Sequence, residues 1–255
     1  MILDELVNST IDRYKDKKDN IDYIKNLAEK RKYKMTSFYD AIYKSGMSFI
    51  CEIKKASPSK GIISEDFPYK AIANEYNKIA DVISVLTEPT RFLGSDKILN
   101  DVKNLVDIPV LRKDFIIYPY QIYEAKAIGA DAILLIVAVL SYDKLVEYIN
   151  LAHSLNLGVL VEAHDEAEVK LAIKANARVI GVNNRNLKDF TVDMNNSIKL
   201  RNLAPNNIKF VSESGIKTRT DIKILEDNNV DAVLIGETLM RSDNPLKMIK
   251  ELKYD

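Results

Sequence analysis

Residues 47–61 read MSFICEIKKASPSKG, an apolar run that ends abruptly in an acid and two lysines. Charges usually go to exposed helix faces, yet Glu52 and Lys54 stand where a strand should be ending. Side chains alternate along a strand, so this pair shares one face and Cys51 and Ile53 share the other. A strand with charges on one side of its end and apolar residues on the other has a polar opening in front of it and a covering layer behind.

The same pattern recurs. Strand-length segments rich in β-branched residues lie at 47–52, 82–87, 108–113, 132–137, 158–163, 178–183, 208–213 and 231–236. They are mostly continuous rather than alternating, as expected of parallel strands covered on both faces. Helical periodicity fills the gaps, as in 120–130, 141–156, 165–176 and 218–229, and Ser141, Asp165 and Thr218 are placed as N-caps. Strand then helix, eight times, predicts a (β/α)8 TIM barrel of the α/β class. A doubly wound dinucleotide-binding sheet would open on a Gly-rich turn, and none is present. The expected organisation is one domain over 1–255: a helical extension at 1–46, then the barrel at 47–255. In the extension, Ile2, Leu3, Leu6, Val7 and Ile11, then Ile21, Ile24, Leu27 and Ala28, form apolar stripes. They predict one or two helices packed on the barrel, over an end.

Composition narrows the function classes. The chain has 255 residues, and 37 basic side chains balance 37 acidic ones. No field attracts nucleic acid or an anionic membrane. One cysteine excludes an intrachain disulfide and fits a reducing compartment. The N-terminus carries acids where a secretion signal is basic, and the longest apolar run, 132–140, is too short to span a bilayer. The expectation is a cytoplasmic protein, a monomer or weak homodimer, without nucleic-acid or membrane partners. Two histidines and one cysteine leave no metal cluster of usual spacing, so no metal or cofactor is expected.

In such barrels the active site lies at the C-terminal ends of the strands. There the sequence sets Glu52 and Lys54, then Thr87 and Glu88, Lys113 and Asp114, and Glu162. Asn183, Asn184 and Arg185 follow, then Glu213, Ser214 and Gly215, then Gly236 and Glu237. Some of these could be ordinary loop charges or structural ion pairs, but together they converge on one mouth. VSESGI (211–216) and LIGETLM (234–240) follow the seventh and eighth strands, where barrels commonly bind phosphate through backbone N–H groups. Each glycine alone would equally serve to turn a loop. Ser57 and Ser59 could add hydroxyls, while Lys55 and Lys60 read as surface charges. His153 reads as a surface or packing residue. His164, two after Glu162, reads as a helix-start residue that could also line the mouth.

The fragments CEIKKASPSKG, VLRKDF, LVEAHDEAE, IGVNNRNL, VSESGI and LIGETLM, in this order and with these gaps, resemble the indole-3-glycerol phosphate synthase family of tryptophan biosynthesis. The resemblance covers nearly the whole chain, with no departure at a motif position. It implies closure of 1-(2-carboxyphenylamino)-1-deoxyribulose 5-phosphate to indole-3-glycerol phosphate, with loss of CO2 and water and no cofactor. By resemblance, Lys113 is the general acid and Glu162 the partner carboxylate. Lys54, paired with Glu52, addresses the substrate carboxylate or the departing hydroxyl, and Asn183 and Arg185 orient the anthranilate. Ser57, Ser214, Gly215, Gly236 and the backbone of Glu237 hold the phosphate, and Glu213 meets the ribulose hydroxyls. Phe92, Phe115 and Leu134 wall the aromatic ring. The rivals are another phosphate-binding barrel, such as phosphoribosylanthranilate isomerase, and a non-catalytic barrel subunit. An isomerase would want its acid–base pair on strands one and five, but here Cys51 is turned away.

Overall fold

Aliphatic runs with no polar face cannot remain at a surface, and each one forms a strand covered on both sides. The computed structural model describes residues 2–31, 36–186 and 189–254. Leu187, within one of the family-like fragments, and the terminal residues 1 and 255 lie outside them. The strands are β1 (Ser48–Ile53), β2 (Val82–Leu86), β3 (Val110–Lys113), β4 (Ala132–Ile136), β5 (Gly158–Ala163), β6 (Val179–Asn183), β7 (Lys209–Glu213) and β8 (Ala232–Ile235). All pairs are parallel, each strand lies beside its sequence neighbours, and β1 closes on β8. This is the expected eight-stranded barrel.

Three helices precede β1 among the described residues: α1 (Ile2–Tyr14), α2 (Ile21–Glu29) and α3 (Phe38–Ile42). Between strands run α4 (Tyr69–Tyr76), α5 (Asp96–Lys103), α6 (Pro119–Ile128), α7 (Tyr142–Ser154), α8 (Glu166–Lys174), α9 (Asn195–Arg201) and α10 (Arg219–Asp227). After β8 come α11 (Glu237–Met240) and α12 (Pro245–Lys253). The three expected caps are present. Ser141, Asp165 and Thr218 each accept a bond from the backbone N–H three residues on, worth about 1 kcal/mol apiece.

Alternation sorts the core into two layers. Phe49, Cys51 and Ile53 face the helices, whereas Ile50, Val82, Leu111, Leu134, Leu160, Val179, Val211 and Leu234 fill the interior. Burial pushes the Cys51 thiol far up and leaves it inert. The extension departs from expectation in having three helices with three tasks. Leu6 of α1 is buried at the mouth end, Ile24 of α2 packs with Tyr120 of α6, and Ala28 of α2 is buried as well. Ile11 and Leu27, read as part of the apolar stripes, are 40% and 39% exposed, so those stripes are narrower than the pattern suggests. The additional helix, α3, plugs the opposite end. Phe38 and Ile42 join the interior cluster, and Ser48 Oγ bonds the Ala41 carbonyl at 2.9 Å. Gly158 makes room for this plug, because a Cβ there would lie 2.6 Å from the Phe38 ring. With its floor closed by α3, the barrel opens at the strand C-termini.

Candidate active site

A cavity of about 710 Å³ opens at that end. Fourteen of the fifteen residues expected there line it: Glu52, Lys54, Ser57, Phe92, Lys113, Phe115, Leu134, Glu162, Asn183, Arg185, Ser214, Gly215, Gly236 and Glu237. The exception is Glu213. Its side chain points inward as alternation requires, but it is only 1% exposed and lies beneath Lys113. Gly181, on the neighbouring strand, leaves the space, since a Cβ there would sit 2.3 Å from Glu213 Oε1. Glu213 therefore meets Lys113 where contact with substrate hydroxyls was expected.

Lys113 is the hub. Its Nζ lies 3.0 Å from Glu213 Oε2 and 3.4 Å from Glu52 Oε2, while Glu52 Oε1 is 2.5 Å from Lys54. Burial works against the Lys113 charge, but Glu213, Glu52 and Glu162 outweigh it and hold the amine as ammonium. Burial likewise opposes the Glu52 carboxylate, and Lys54 with Lys113 keeps it ionised. Glu213 is different: burial pushes its carboxyl up, Glu162 and Glu52 add to that, and Lys113 offsets only part. Its Oε1 has no hydrogen-bond partner. A buried carboxyl surrounded by like charges is easiest to keep when it carries a proton.

Glu162 faces this group from β5. Asn183 Nδ2 lies 3.5 Å from its Oε1, and the Asn183 Oδ1 accepts bonds from Ser214 Oγ (3.0 Å) and the Arg185 N–H (3.1 Å). The amide is thus oriented from both ends. Ser214 has a φ of 70°, a region costly for any residue other than glycine, and Gly215 follows at 90°. Strain of this kind costs about 1–3 kcal/mol and collects at functional sites. Gly236 has ordinary backbone angles and owes its identity to a neighbour instead. A Cβ there would lie 2.2 Å from Glu52 Oε1 and 3.0 Å from Lys54 Nζ. The sequence suggested close approach to an anion at Gly236, and the atom it must admit is a carboxylate oxygen of the chain itself.

The walls divide by chemistry. Phe92 and Phe115, with ring centroids 6.3 Å apart, join Leu134 and Ile136 on one side. Ile2, Leu3 and Leu6 of α1 roof the cavity, a contribution that the apolar stripe of the extension hinted at without giving a location. On the polar side Arg185, Lys60 and Arg241 gather around the Glu237 carboxylate at 3.6, 3.8 and 3.2 Å. Lys60 is exposed as expected and also lines the cavity, because the segment after β1 folds into a small hairpin, Ala56–Ser57 against Gly61–Ile62.

Other strand-end polar groups are occupied elsewhere. Glu88 caps the backbone of 90–92, Asn184 bonds Ser197 and Ser212, and Thr87 bonds Asp114. His153 packs with Tyr39, 2.7 Å from its hydroxyl. His164 takes the expected helix-start role, bonding Glu168 of α8, and does not line the cavity; its other nitrogen faces Glu162. Among the described residues no His, Cys, Asp and Glu cluster could hold a metal ion, and no helix is long and apolar enough to cross a membrane.

Comparison with known proteins bears directly on this arrangement. A family model described as indole-3-glycerol phosphate synthase matches residues 3–252. A protein of that name from Endomicrobium trichonymphae is 55% identical over 257 residues, covering 99% of this chain and 100% of its own. One from Ruminiclostridium cellulolyticum is 58% identical over 246 residues, covering 95% of each. Among solved structures, a 3-hexulose-6-phosphate synthase aligns with a TM-score of 0.64 at 16% identity, over 81% of this chain and 98% of that one. A mutant tryptophan synthase α-subunit from Pyrococcus furiosus aligns at 0.62 and 12%, over 80% and 97%. At such low identities these last two show the shared barrel and nothing finer.

Proposed function

Because the chain belongs to the indole-3-glycerol phosphate synthase family of tryptophan biosynthesis, we propose that its barrel mouth acts as a carboxy-lyase in the following way. The phosphorylated substrate lies across the cavity with its aromatic ring against Phe92, Phe115 and Leu134. Its phosphate lies at the turns of Ser214–Gly215 and Gly236–Glu237, with Ser57 above. Lys113, the buried ammonium, protonates the ketone oxygen of the ribulose chain as the ring carbon bearing the carboxylate attacks that carbon. The carboxylate, oriented by Lys54 and Arg185, then leaves as CO2 and returns its electron pair to the ring. Loss of the new hydroxyl as water, with Glu162 carrying the proton taken from the adjacent position, completes the indole. Glu52 holds Lys54 and Lys113 charged and in place, Glu213 supports Lys113 from below, and Asn183 orients Glu162.

The observation that carries this reading is the setting of Lys113. An ammonium braced between Glu52 and Glu213 faces a cavity with an aromatic wall on one side and cationic groups on the other. A positioned acid of this kind is what cyclisation onto a ketone requires. The same reading has the enzyme act in the cytoplasm, as a monomer or weak homodimer, without a cofactor. The test is direct. The chain has no tryptophan, so indole fluorescence appears against a tyrosine background when purified protein meets the carboxyphenylamino-deoxyribulose phosphate. Absence of product from folded protein at millimolar substrate sinks the proposal.

A further inference from the structure

His164 has no task in the reaction as written above, yet its ring is wedged between two acids. It leaves β5 two residues after Glu162, so alternation sends both side chains to the same side. Its Nε2 lies 3.4 Å from Glu162 Oε1, close enough for a charge contact but without the geometry of a hydrogen bond. At the other edge Nδ1 is 3.1 Å from Glu168 Oε2, and the same oxygen accepts the His164 backbone N–H at 2.8 Å. Glu168 is held in turn by its own N–H on Asp165 Oδ1 (2.9 Å), and Asn196 Nδ2 donates to the His164 carbonyl (3.1 Å). Neutral imidazole has one donor and one acceptor nitrogen, so either tautomer would turn a lone pair on a carboxylate. Only imidazolium offers a proton to both.

We propose that His164 is a positioning residue for Glu162: clamped by Glu168 as an imidazolium, it keeps the Glu162 carboxylate ionised and facing the substrate. This rests on the reading of Glu162 as the proton-transferring carboxylate. Burial alone would remove the His164 charge, but Glu162 and Glu168 more than restore it and push the ring up to about 10. Burial alone would also protonate Glu162, and His164, then Lys113 of β3 and Asn183 of β6, hold it far down. Glu213 of β7 opposes them as a like charge and is itself pushed up. Two carboxyls sharing one site compete for a proton. His164 decides that contest, leaving Glu162 as the base at the start of the cycle.

The experiment is the pH profile of kcat/KM for wild type, His164→Gln and Glu168→Gln, the last lying outside the cavity wall. Without the cation, Glu162 binds its proton more readily, so in His164→Gln the acid limb should move to higher pH, by about one unit or more. Glu168→Gln should lower the pH at which the His164 ring gives up its proton. Histidine NMR supplies an independent reading, because the chain has only two imidazoles. The signal lost in His164→Gln should show a ring still protonated at pH 8 in the wild type. A uniform fall in rate with an unmoved limb, or a His164 ring that titrates near neutrality, overturns the proposal. If His164→Gln does not fold, Glu168→Gln and the wild-type spectrum decide the matter. Glu162→Gln tests the underlying assignment separately: wild-type turnover there removes Glu162 from the chemistry, whatever the charge on His164.

Discussion

Arg112 and Lys113 are neighbours on β3 and point to opposite sides of it, each into a cluster of buried acids. Behind the strand, Arg112 is fully buried, and its guanidinium reaches Asp96 (2.9 Å), Asp114 (3.3 Å), Glu124 (2.9 Å), the Tyr14 hydroxyl, Thr87 Oγ1 and the Gln121 carbonyl. Asp114 is met in addition by Arg13 at 2.7 Å and by the Phe115 N–H. Inside the barrel, Lys113 has its two acids, but the lysine keeps 16% side-chain exposure and Glu213 keeps an oxygen without a partner. A buried charge network is not in itself a site. The closed network stabilises one structure, whereas the incomplete one, facing a cavity, can exchange a proton with something that enters.

The sharpest way to break this contrast is to remove each cation in turn. Lys113→Ala should lower kcat by about 10²–10⁴-fold or more and leave substrate binding and the unfolding midpoint nearly unchanged, because Glu213 can take up a proton. Turnover and substrate titration on the same preparation check it, and surviving activity means the acid is another group. Arg112→Met should do the reverse. It strands the buried Glu124 and leaves Asp114 with Arg13 as its one remaining counter-charge, at a cost of about 3–5 kcal/mol in denaturant unfolding. The folded fraction should keep a normal KM. Adding Glu124→Gln should recover part of that loss, since the penalty comes from the carboxylate that loses its cation. If Arg112→Met were instead stable and inactive, the division between the two faces of β3 would be wrong.

Sequence patterning made one side of this comparison far more legible than the other. Runs of aliphatic residues located all eight strands, and 158–163 coincides with β5 end to end. The third segment, begun at Ile108, starts its ladder at Val110 because Pro109 has no N–H to donate. Alternation put Glu52 and Lys54 inward and Cys51 outward, since that inference needs only neighbours in the chain. Depth along the barrel axis is set by register between strands, so the missing side chain of Gly181 that lets Glu213 sink beneath Lys113 leaves no local trace. The plug formed by Phe38 depends on Gly158, 120 positions away, and α3 is too short to show a helical period. Arg112 carries no motif at all, and its partners come from three helices, α1, α5 and α6, and from the loops after β2 and β3. His164 did leave a signal, its two-residue spacing from Glu162, but the acid on its far side becomes evident only when Glu168 turns back from α8.

The smallest effect tests whether the closed network also serves the open one. Arg13 links them: it extends from α1 to Asp114 at 2.7 Å and to the Thr87 carbonyl at 3.3 Å, while Leu6, Leu3 and Ile2 on the same helix roof the cavity. Arg13→Ala leaves Asp114 still paired with Arg112, so no carboxylate is abandoned and the loss is one charged tether, about 1–2 kcal/mol. Only the docking of α1 weakens, and binding can suffer by no more than that differential energy. KM should rise by a factor of about thirty at most, with kcat changing less, because Lys113 and its acids are untouched. Arg13→Lys, which keeps the charge and loses the second donor arm, should fall between wild type and alanine. A fall in kcat with KM unchanged would instead mean that α1 acts on the geometry of Lys113 through β3, and that the two faces of the strand are coupled more tightly than their separate partners suggest.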